Sequence, residues 1–299
     1  MEARQVNVNV LNQSNGSDWT LYHGDSCEAL KGLPDKSVHY SIFSPPFAGL
    51  FVYSASDRDL GNSRDYEQFF EHFAFMIREI LRVTVPGRLC SIHCMLIPTS
   101  KEMHGYIGLQ DFRGDLIRAF KKEGWIHHSE VVIWKDPVAA MTRTKALGLL
   151  HKTVRENSSM ARQGIPDYLV TMRAPGDARE NRVTHAREDY PVSVWQRVAE
   201  PVWMDIDAGE TLQRESAREE EDEKHICPLQ LEVIRRGVRL WTNPAEIVMS
   251  PYAGIGSEGY VALQEGRRFV GCELKESYYR QAVLNLQRAA STKQASLFS

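Results

Sequence analysis

A doubly wound α/β fold on a mostly parallel sheet is the class this sequence predicts, and three observations predict it. Short runs of β-branched and aromatic residues alternate with amphipathic helical stretches along most of the chain. The loop Gly254-x-Gly256-x-x-Gly259 falls between one such run and the helix after it, where glycines let the backbone turn tightly and approach a ligand. Glu273 then ends the following strand, at the edge where open α/β sheets bind ligands. With 299 residues, 42% hydrophobic and 25% charged, the chain is long enough for one large domain or a core with an inserted module.

The elements follow in order. The first eighteen residues are polar and Asn-rich apart from Val6, Val8 and Val10, which suits a loose arm or an edge strand. Order is expected to begin at Trp19-Thr20-Leu21-Tyr22, a strand running into Gly24-Asp25 and a short amphipathic helix from Ser26 to Leu30. Asp25 therefore either faces a ligand at a strand's carboxyl end or caps the helix. Leu33-Pro34-Asp35-Lys36 makes a turn, and Val38 to Phe43 reads as a buried strand. It ends in Ser44-Pro45-Pro46-Phe47, whose two prolines fix φ at about −65° and remove two N–H donors. The result is a stiff, extended strand exit with a hydroxyl on one side and an aromatic ring on the other. Ala48 to Asn62 reads as a mobile loop, and Tyr66 to Leu81 as a helix with Phe69, Phe70, Phe73, Ile77, Ile80 and Leu81 on one stripe. Pro86-Gly87 turns into a strand from Arg88 to Leu96; a helix from Asp115 to Lys122 and a strand from Val131 to Trp134 come next.

The middle of the chain changes character. The net charge of −3 supplies no overall basic field, so any surface for a polyanion must be local. Between Lys135 and Arg187 ten Lys/Arg stand against five Asp/Glu, and Arg143, Lys145, Lys152, Arg155 and Arg162 are candidate phosphate contacts. Ile165 to Met172 is one more core strand in this region. Asp205 to Glu223 has nine acids and two arginines and reads as a solvated segment. Then come an amphipathic helix, Leu229 to Leu240, broken at Asn243-Pro244, the strand Glu246 to Met249, the glycine loop, a helix to about Gln264, and the strand Arg268 to Cys272. A last helix carries Tyr279, Ala282, Val283 and Leu286 inward, with a disordered tail expected from Ser291.

Five scattered cysteines suit a reducing compartment. Cys90, His93 and Cys94 lack a second ligand pair, so no metal is expected. There is no N-terminal signal pattern and no apolar run of bilayer length, and the expected location is cytoplasmic, on the nucleoid.

The glycine loop with its acid suits a dinucleotide enzyme and an S-adenosylmethionine (SAM) enzyme equally. The Ser-Pro-Pro-Phe exit favours the second. An exocyclic amine conjugated to an aromatic base is a poor nucleophile. Hydrogen bonds from it to the Ser44 hydroxyl and the Pro45 carbonyl would pull it towards tetrahedral geometry, while Phe47 stacks on the base.

Asp25, Ser44-Pro45-Pro46-Phe47, Tyr252-Ala253-Gly254-Ile255-Gly256 and Glu273 together resemble the amino-group DNA methyltransferases of bacteria and phages. They are most similar to the circularly permuted β class, where the catalytic motif precedes the SAM loop. The resemblance covers Trp19 to Phe47 and His225 to Leu286. It implies a SAM-dependent enzyme that methylates adenine N6 or cytosine N4 in duplex DNA. In it the tetrad grips the amine, Asp25 binds the cofactor's adenine, Glu273 its ribose and the Tyr252–Gly256 backbone its methionine part, with His225 and Gln230 in the segment closing over that end. It further implies catalytic-core parts at 1–134 and 225–299 around a target-recognition region at 135–224. This sequence departs from the family's pattern at Ser250 (usually Asp), Ser257-Glu258 (usually Thr-Thr) and Gln230 (usually Lys). Ser at the head of the tetrad is commoner among cytosine-N4 enzymes, but the base stays open. Carbon-5 methylation is disfavoured because no cysteine follows a proline. Other outcomes are an RNA or protein-glutamine methyltransferase, a NAD-dependent oxidoreductase and a non-catalytic DNA-binding regulator. A homodimer and a separate restriction endonuclease are open partners.

Overall fold

The computed structural model describes residues 10–46, 66–139, 150–212 and 229–297. The described elements are, in order, β1 (Asn12–Asn15), β2 (Trp19–His23), α1 (Ser26–Lys31), β3 (Val38–Phe43), α2 (Tyr66–Val83), β4 (Thr84–Met95), β5 (Ile97–Thr99), α3 (Lys101–His104), β6 (Gly108–Gln110), α4 (Phe112–Lys122) and β7 (Ile126–Ile133). They continue with α5 (His151–Asn157), β8 (Asp167–Arg173), α6 (Val192–Ala199), β9 (Val202–Trp203), α7 (Leu231–Trp241), β10 (Ile247–Ser250), α8 (Ser257–Gln264), β11 (Arg268–Glu273) and α9 (Glu276–Leu297).

One nine-stranded sheet, in the order β1-β2-β11-β10-β3-β4-β8-β7-β9, carries the fold. Its centre, β2 to β4, is parallel throughout. β8 enters antiparallel between β4 and β7. The central strands read as near-continuous apolar runs because both faces are covered, as parallel sheets require. On one face α7, α8 and α9 pack Val233, Ile234, Val261, Ala282 and Leu286 against Leu21, Tyr40, Ile42, Val248 and Phe269. On the other, α1, α2 and α4 pack Leu30, Phe69, Phe73, Ile77 and Phe120 against Val38, Phe43, Ile92 and Met249. The apolar stripe read for α2 is this second core, with Phe70 and Leu81 at its margin.

At the amino edge of the parallel strands, Arg88 is 4% exposed and ion-paired to Glu246 through both terminal nitrogens. It also donates to the carbonyls of His39 and Trp241, and so ties β3, β4, α7 and β10 together on the side away from the strand exits.

The structure corrects several sequence-based expectations. Order begins before Trp19, because the Asn-rich stretch forms β1 as an antiparallel edge on β2, closed by Gly16 N–H donating to the Trp19 carbonyl. Pro86-Gly87 does not precede the strand but lies within β4, where the β3 register shifts and Gly87 takes φ 79°, a bulge rather than a turn. α9 runs to Leu297, past the tail expected from Ser291. The helix expected from Asp115 starts at Phe112, because Asp111 accepts the Gly114 N–H at 2.9 Å. The 135–224 segment gives the sheet two strands, β8 as expected and β9 in addition. The loop expected from Ala48 and most of the acidic run lie outside the described residues. No described helix is long and apolar enough to cross a membrane.

Candidate functional site

Four parallel strands, β2, β11, β10 and β3, end side by side, and the segments leaving them form one edge. The order of connection reverses between β10 and β3: β10 leads to β11, β3 leads to β4, and the two pairs diverge. That is the switch point at which α/β sheets open a crevice.

The loop leaving β10 is held from several sides. Ala253 N–H donates to the Cys272 carbonyl at 2.8 Å, and Gly256 N–H to the Ala253 carbonyl at 2.7 Å. The buried Asn285 amide donates to the Ile255 carbonyl at 2.8 Å, fastening the loop to α9. Ser26 on α1 donates to the Pro251 carbonyl. Gly254 and Gly256 take φ of 52° and 85°, left-handed conformations that glycine adopts freely. A Cβ on Gly254 would meet nothing within 4 Å, so the backbone there borders open space. Gly256 precedes α8, whose first turn offers N–H groups to an anion or a ligand oxygen.

The two acids read from the sequence frame this loop. Glu273 Oε2 accepts the Gly254 N–H at 2.8 Å and Oε1 the Lys275 N–H at 2.9 Å, which fixes its carboxylate beside the loop. Asp25 does cap α1: its Oδ1 accepts from Cys27 N–H at 2.8 Å and Glu28 N–H at 3.2 Å, and the cap does not use Oδ2. Gly24 N–H donates to the Glu273 carbonyl at 3.0 Å, so the two acidic residues sit on adjoining strand exits.

Three of the four positions that depart from the family pattern have a structural mark in common. Ser250 Oγ, Ser257 Oγ and Gln230 Oε1 are buried without a partner among the described residues, and buried polar atoms are rarely left so. Beside Ser257, burial pushes the Glu258 carboxyl up to about 8, with the nearby Glu273 adding to the shift. Glu258 is therefore a neutral acid at the start of α8 near neutral pH.

Ser44-Pro45-Pro46 leaves β3 one strand away from this loop. The rings of Phe43 and Tyr252 meet edge-on with centroids 5.7 Å apart, which sets the two exits side by side. Ser44 is not alone. Its Oγ lies 3.0 Å from Nδ1 of His93, and His93 Nε2 lies 3.0 Å from Oδ2 of Asp167. Lys135 Nζ reaches the same oxygen at 2.5 Å. Burial opposes the charge on Asp167, but His93 and Lys135 outweigh it and hold the carboxyl below the usual carboxylate range.

Sequence reasoning missed His93, Asp167 and Lys135. In the sequence His93 stands out only as a metal-ligand candidate beside Cys90 and Cys94, and strand alternation puts those cysteines on the opposite face of β4. Both thiols are buried, which raises their pKa. The available signal was a histidine within a buried strand that pairs with the strand ending at Ser44, and an acid opening the predicted strand near residue 165.

Of the other expected residues, Phe47, His225, Arg143 and Lys145 lie outside the described residues. Lys152 and Arg155 are exposed on α5, Lys152 within 3.8 Å of Glu156. Arg162 is half-buried and donates to the Gly108 carbonyl at 3.0 Å, fastening its segment to the β5–β6 hairpin. The basic stretch is thus partly spent on the protein itself, with Lys135 held inward on the buried Asp167 and Arg179 paired to Asp177 at the surface.

A family model for DNA methylases of the N6/N4 methyltransferase type matches residues 38–284. The chain belongs to this DNA methylase family. The type II methyltransferase M.Cfr9I of Citrobacter freundii is 24% identical over 300 residues, covering 90% of this chain and 87% of that relative. Among solved structures, the cytosine-N4-specific PvuII DNA methyltransferase superposes with a TM-score of 0.67 at 15% identity, over 95% of this chain and 94% of its own. A DNA modification methylase of Thermus thermophilus, TTHA0409, complexed with S-adenosyl-L-methionine, superposes with a TM-score of 0.64 at 22% identity, over 90% of this chain and 95% of its own. This DNA methylase thus shares its α/β fold with SAM-dependent DNA methyltransferases, and its family acts on DNA with SAM as methyl donor. The loop after β10 fits that donor, having open space at Gly254, a fixed carboxylate at Glu273 and unpartnered buried oxygens around it.

Proposed function

We propose that the protein methylates the exocyclic amine of a base flipped out of duplex DNA, adenine N6 or cytosine N4, at a specific site. The observation that carries this is the adjacency of the Ser44-Pro45-Pro46 exit of β3 and the Gly254 loop of β10 at one sheet edge. SAM supplies an electrophilic methyl group on sulfur. Asp25 takes its adenine, Glu273 its ribose hydroxyls, and the Tyr252–Gly256 backbone, with Gln230 and His225, its methionine end. The target amine gives hydrogen bonds to the Ser44 hydroxyl and the Pro45 carbonyl, and Phe47 stacks on the base. Holding the nitrogen in line with the methyl group is the main catalytic device, and extruding the base costs roughly a few kcal/mol.

Residues 1–134 and 225–299 make the catalytic core together with the strands β8 and β9, and the rest of 135–224 recognises the target, with Arg143, Lys145, Lys152 and Arg155 towards phosphate, while Arg162 is turned inward on the Gly108 carbonyl. The work is done in the cytoplasm on the nucleoid. A homodimer and a separate restriction endonuclease are both compatible with this reading.

Mass spectrometry of nucleosides from duplex DNA treated with the protein and SAM tests it. N6-methyladenine or N4-methylcytosine is the expected product, and the absence of both would refute the reading. Ser44→Ala should abolish transfer with SAM binding retained; loss of SAM binding instead would mean the tetrad is misassigned.

A further inference from the structure

We infer that His93, braced by Asp167, is a proton relay behind Ser44: it orients the Ser44 hydroxyl to accept from the target amine and takes up the proton that the methylated nitrogen sheds. This rests on the reading of Ser44 as the group that meets the amine.

The sheet builds the relay. β3 and β4 run parallel with Phe43 opposite Ile92, so the next pair is Ser44 beside His93. On the far side of β4, the antiparallel β8 sets Leu169 opposite His93 and Asp167 opposite Met95. Asp167 therefore shares His93's face as its diagonal neighbour. β7 pairs Ile133 with Asp167, and Lys135, two residues on, returns to the same carboxylate.

The donor pattern follows from the chemistry of the three groups. A carboxylate only accepts, so His93 Nε2 carries the hydrogen in its 3.0 Å contact with Asp167. In the neutral ring Nδ1 is then an acceptor, and the Ser44 hydroxyl donates to it across 3.0 Å. The lone pairs of Ser44 Oγ are left for an incoming N–H. Among the described residues His93 is the side chain bonded to the Ser44 hydroxyl and so sets that orientation, and a hydroxyl turned the other way would repel the amine's hydrogens. Asp167, 2% exposed and ion-paired to Lys135, is a lasting acceptor for the imidazole.

The proton balance needs such a group. As the amine lone pair forms the N–C bond, the C–S bond breaks with its electrons going to sulfur, and the nitrogen becomes positively charged. It returns to neutrality by giving a proton to Ser44 Oγ while the Ser44 hydroxyl proton passes to His93 Nδ1. The imidazolium, held by Asp167, then releases the proton to water. If His93 is protonated beforehand, Nδ1 is a donor, Ser44 must accept from it, and the relay is blocked. Among the described residues Asp167, ion-paired to Lys135, is the charged group bonded to His93, and Arg173 shares this face at the other end of β8. Cys94, Arg113 and Glu130 lie on the other face of the strands, and Arg236, Asp205 and Glu232 are paired among themselves against Trp203.

Single-turnover methyl transfer from labelled SAM to duplex DNA, followed over pH ~5.5–9, tests this. The wild-type rate should fall on the acid side with a single ionisation. His93→Ala should lose about a hundredfold in rate, within the range for a missing general base, and its acid limb should vanish, with added imidazole restoring part of the rate. His93→Asn keeps an acceptor near the place of Nδ1 but cannot hold a proton. It should bind SAM as the wild type does and be slow and pH-flat. An acid limb that persists in His93→Asn, or a rate within threefold of wild type, would overturn the relay. A wild-type protein that transfers no methyl group to DNA would overturn the proposed function instead.

Discussion

Gly254 and Gly256 have the same backbone requirement and different surroundings, so alanine at each should separate loop folding from ligand space. Both occupy the left-handed region, at φ 52° and 85°. A side chain there costs about 1–2 kcal/mol, offset by about 0.4–1 kcal/mol because alanine stiffens the unfolded chain. At Gly254 the added Cβ meets nothing within 4 Å, whereas at Gly256 it meets the Ala282 Cβ at 3.1 Å and Cα at 3.2 Å on α9. Relieving that contact adds about 1–3 kcal/mol. Gly254→Ala is thus expected to cost no more than about 1.5 kcal/mol of stability, and Gly256→Ala about 1–4 kcal/mol. The order reverses for the cofactor. A methyl group at 254 enters the space assigned to SAM, so affinity should drop at least tenfold, which is about 1.4 kcal/mol, and by more than in Gly256→Ala. Urea unfolding without SAM and calorimetric titration with SAM measure the two quantities. Undiminished SAM affinity in Gly254→Ala would refute the assignment of that open space to SAM, and undiminished stability in Gly256→Ala would refute the contact with Ala282.

Two further predictions concern charge. Arg88→Met removes the cation from a site where Glu246 is also largely covered, and breaking such a pair should cost about 3–5 kcal/mol in urea unfolding; a loss below about 1 kcal/mol would show that the pair does not hold the amino edge together. Burial opposes ionisation of Glu246, but its bonds from Arg88 and Asn243 prevail and hold its carboxyl below 4.5. Its contribution is therefore present above that value and lost as pH falls through the folded pKa, a loss Arg88→Met should lack. Glu258 has the opposite sign. With a folded value of about 8 against 4.5 unfolded, the folded state keeps a proton the unfolded chain has lost, so its contribution declines as pH rises from 4.5 to 8. Glu258→Gln should flatten that decline and gain on the wild type between pH 5 and pH 8 by a few kcal/mol in thermal unfolding. A difference that does not change with pH would place Glu258 in contact with solvent.

The core strands were legible wherever burial on both faces wrote them as short apolar runs, as in Val38–Phe43 and Arg268–Glu273. α2 was legible because six apolar residues repeat on one face. The glycine loop and Glu273 could be read for the same reason that they fit a ligand: a left-handed turn and a carboxylate at a strand end leave distinct residues behind. What was not legible depends on pairing across strands. β9 has two residues and no periodicity to detect, and β1, polar because it lies at an exposed edge, could be read only as a loose arm or an edge strand. The Asp25 question had no single answer, since one carboxylate oxygen caps α1 while the residue also stands at the strand exit. His93 could not be linked to Asp167 from the sequence because they are 74 residues apart. Only the insertion of β8 between β4 and β7 brings them to one face. The count of basic residues between Lys135 and Arg187 likewise overstated the outer charge, since it could not show which of them turn inward.

The distance of Ser44-Pro45-Pro46 from the glycine loop along the chain is immaterial to their adjacency, because the sheet order makes β3 and β10 neighbours. What matters is register. Side chains alternate at every residue, so a one-residue slip of β3 against β4 would turn Ser44 to the face opposite His93. The two strands do carry an irregularity, but it lies between Val38 and Tyr40, where Pro86-Gly87 bulges out of β4. Beyond it the pairing from Tyr40–Leu89 to Phe43–Ile92 is regular, and Arg88 binds the His39 carbonyl next to the bulge. The extra residues are absorbed at the amino edge, and the carboxyl edge keeps the register that sets Ser44 beside His93. Arg88 accordingly braces the strands beside the shift, at the end away from Ser44 and His93.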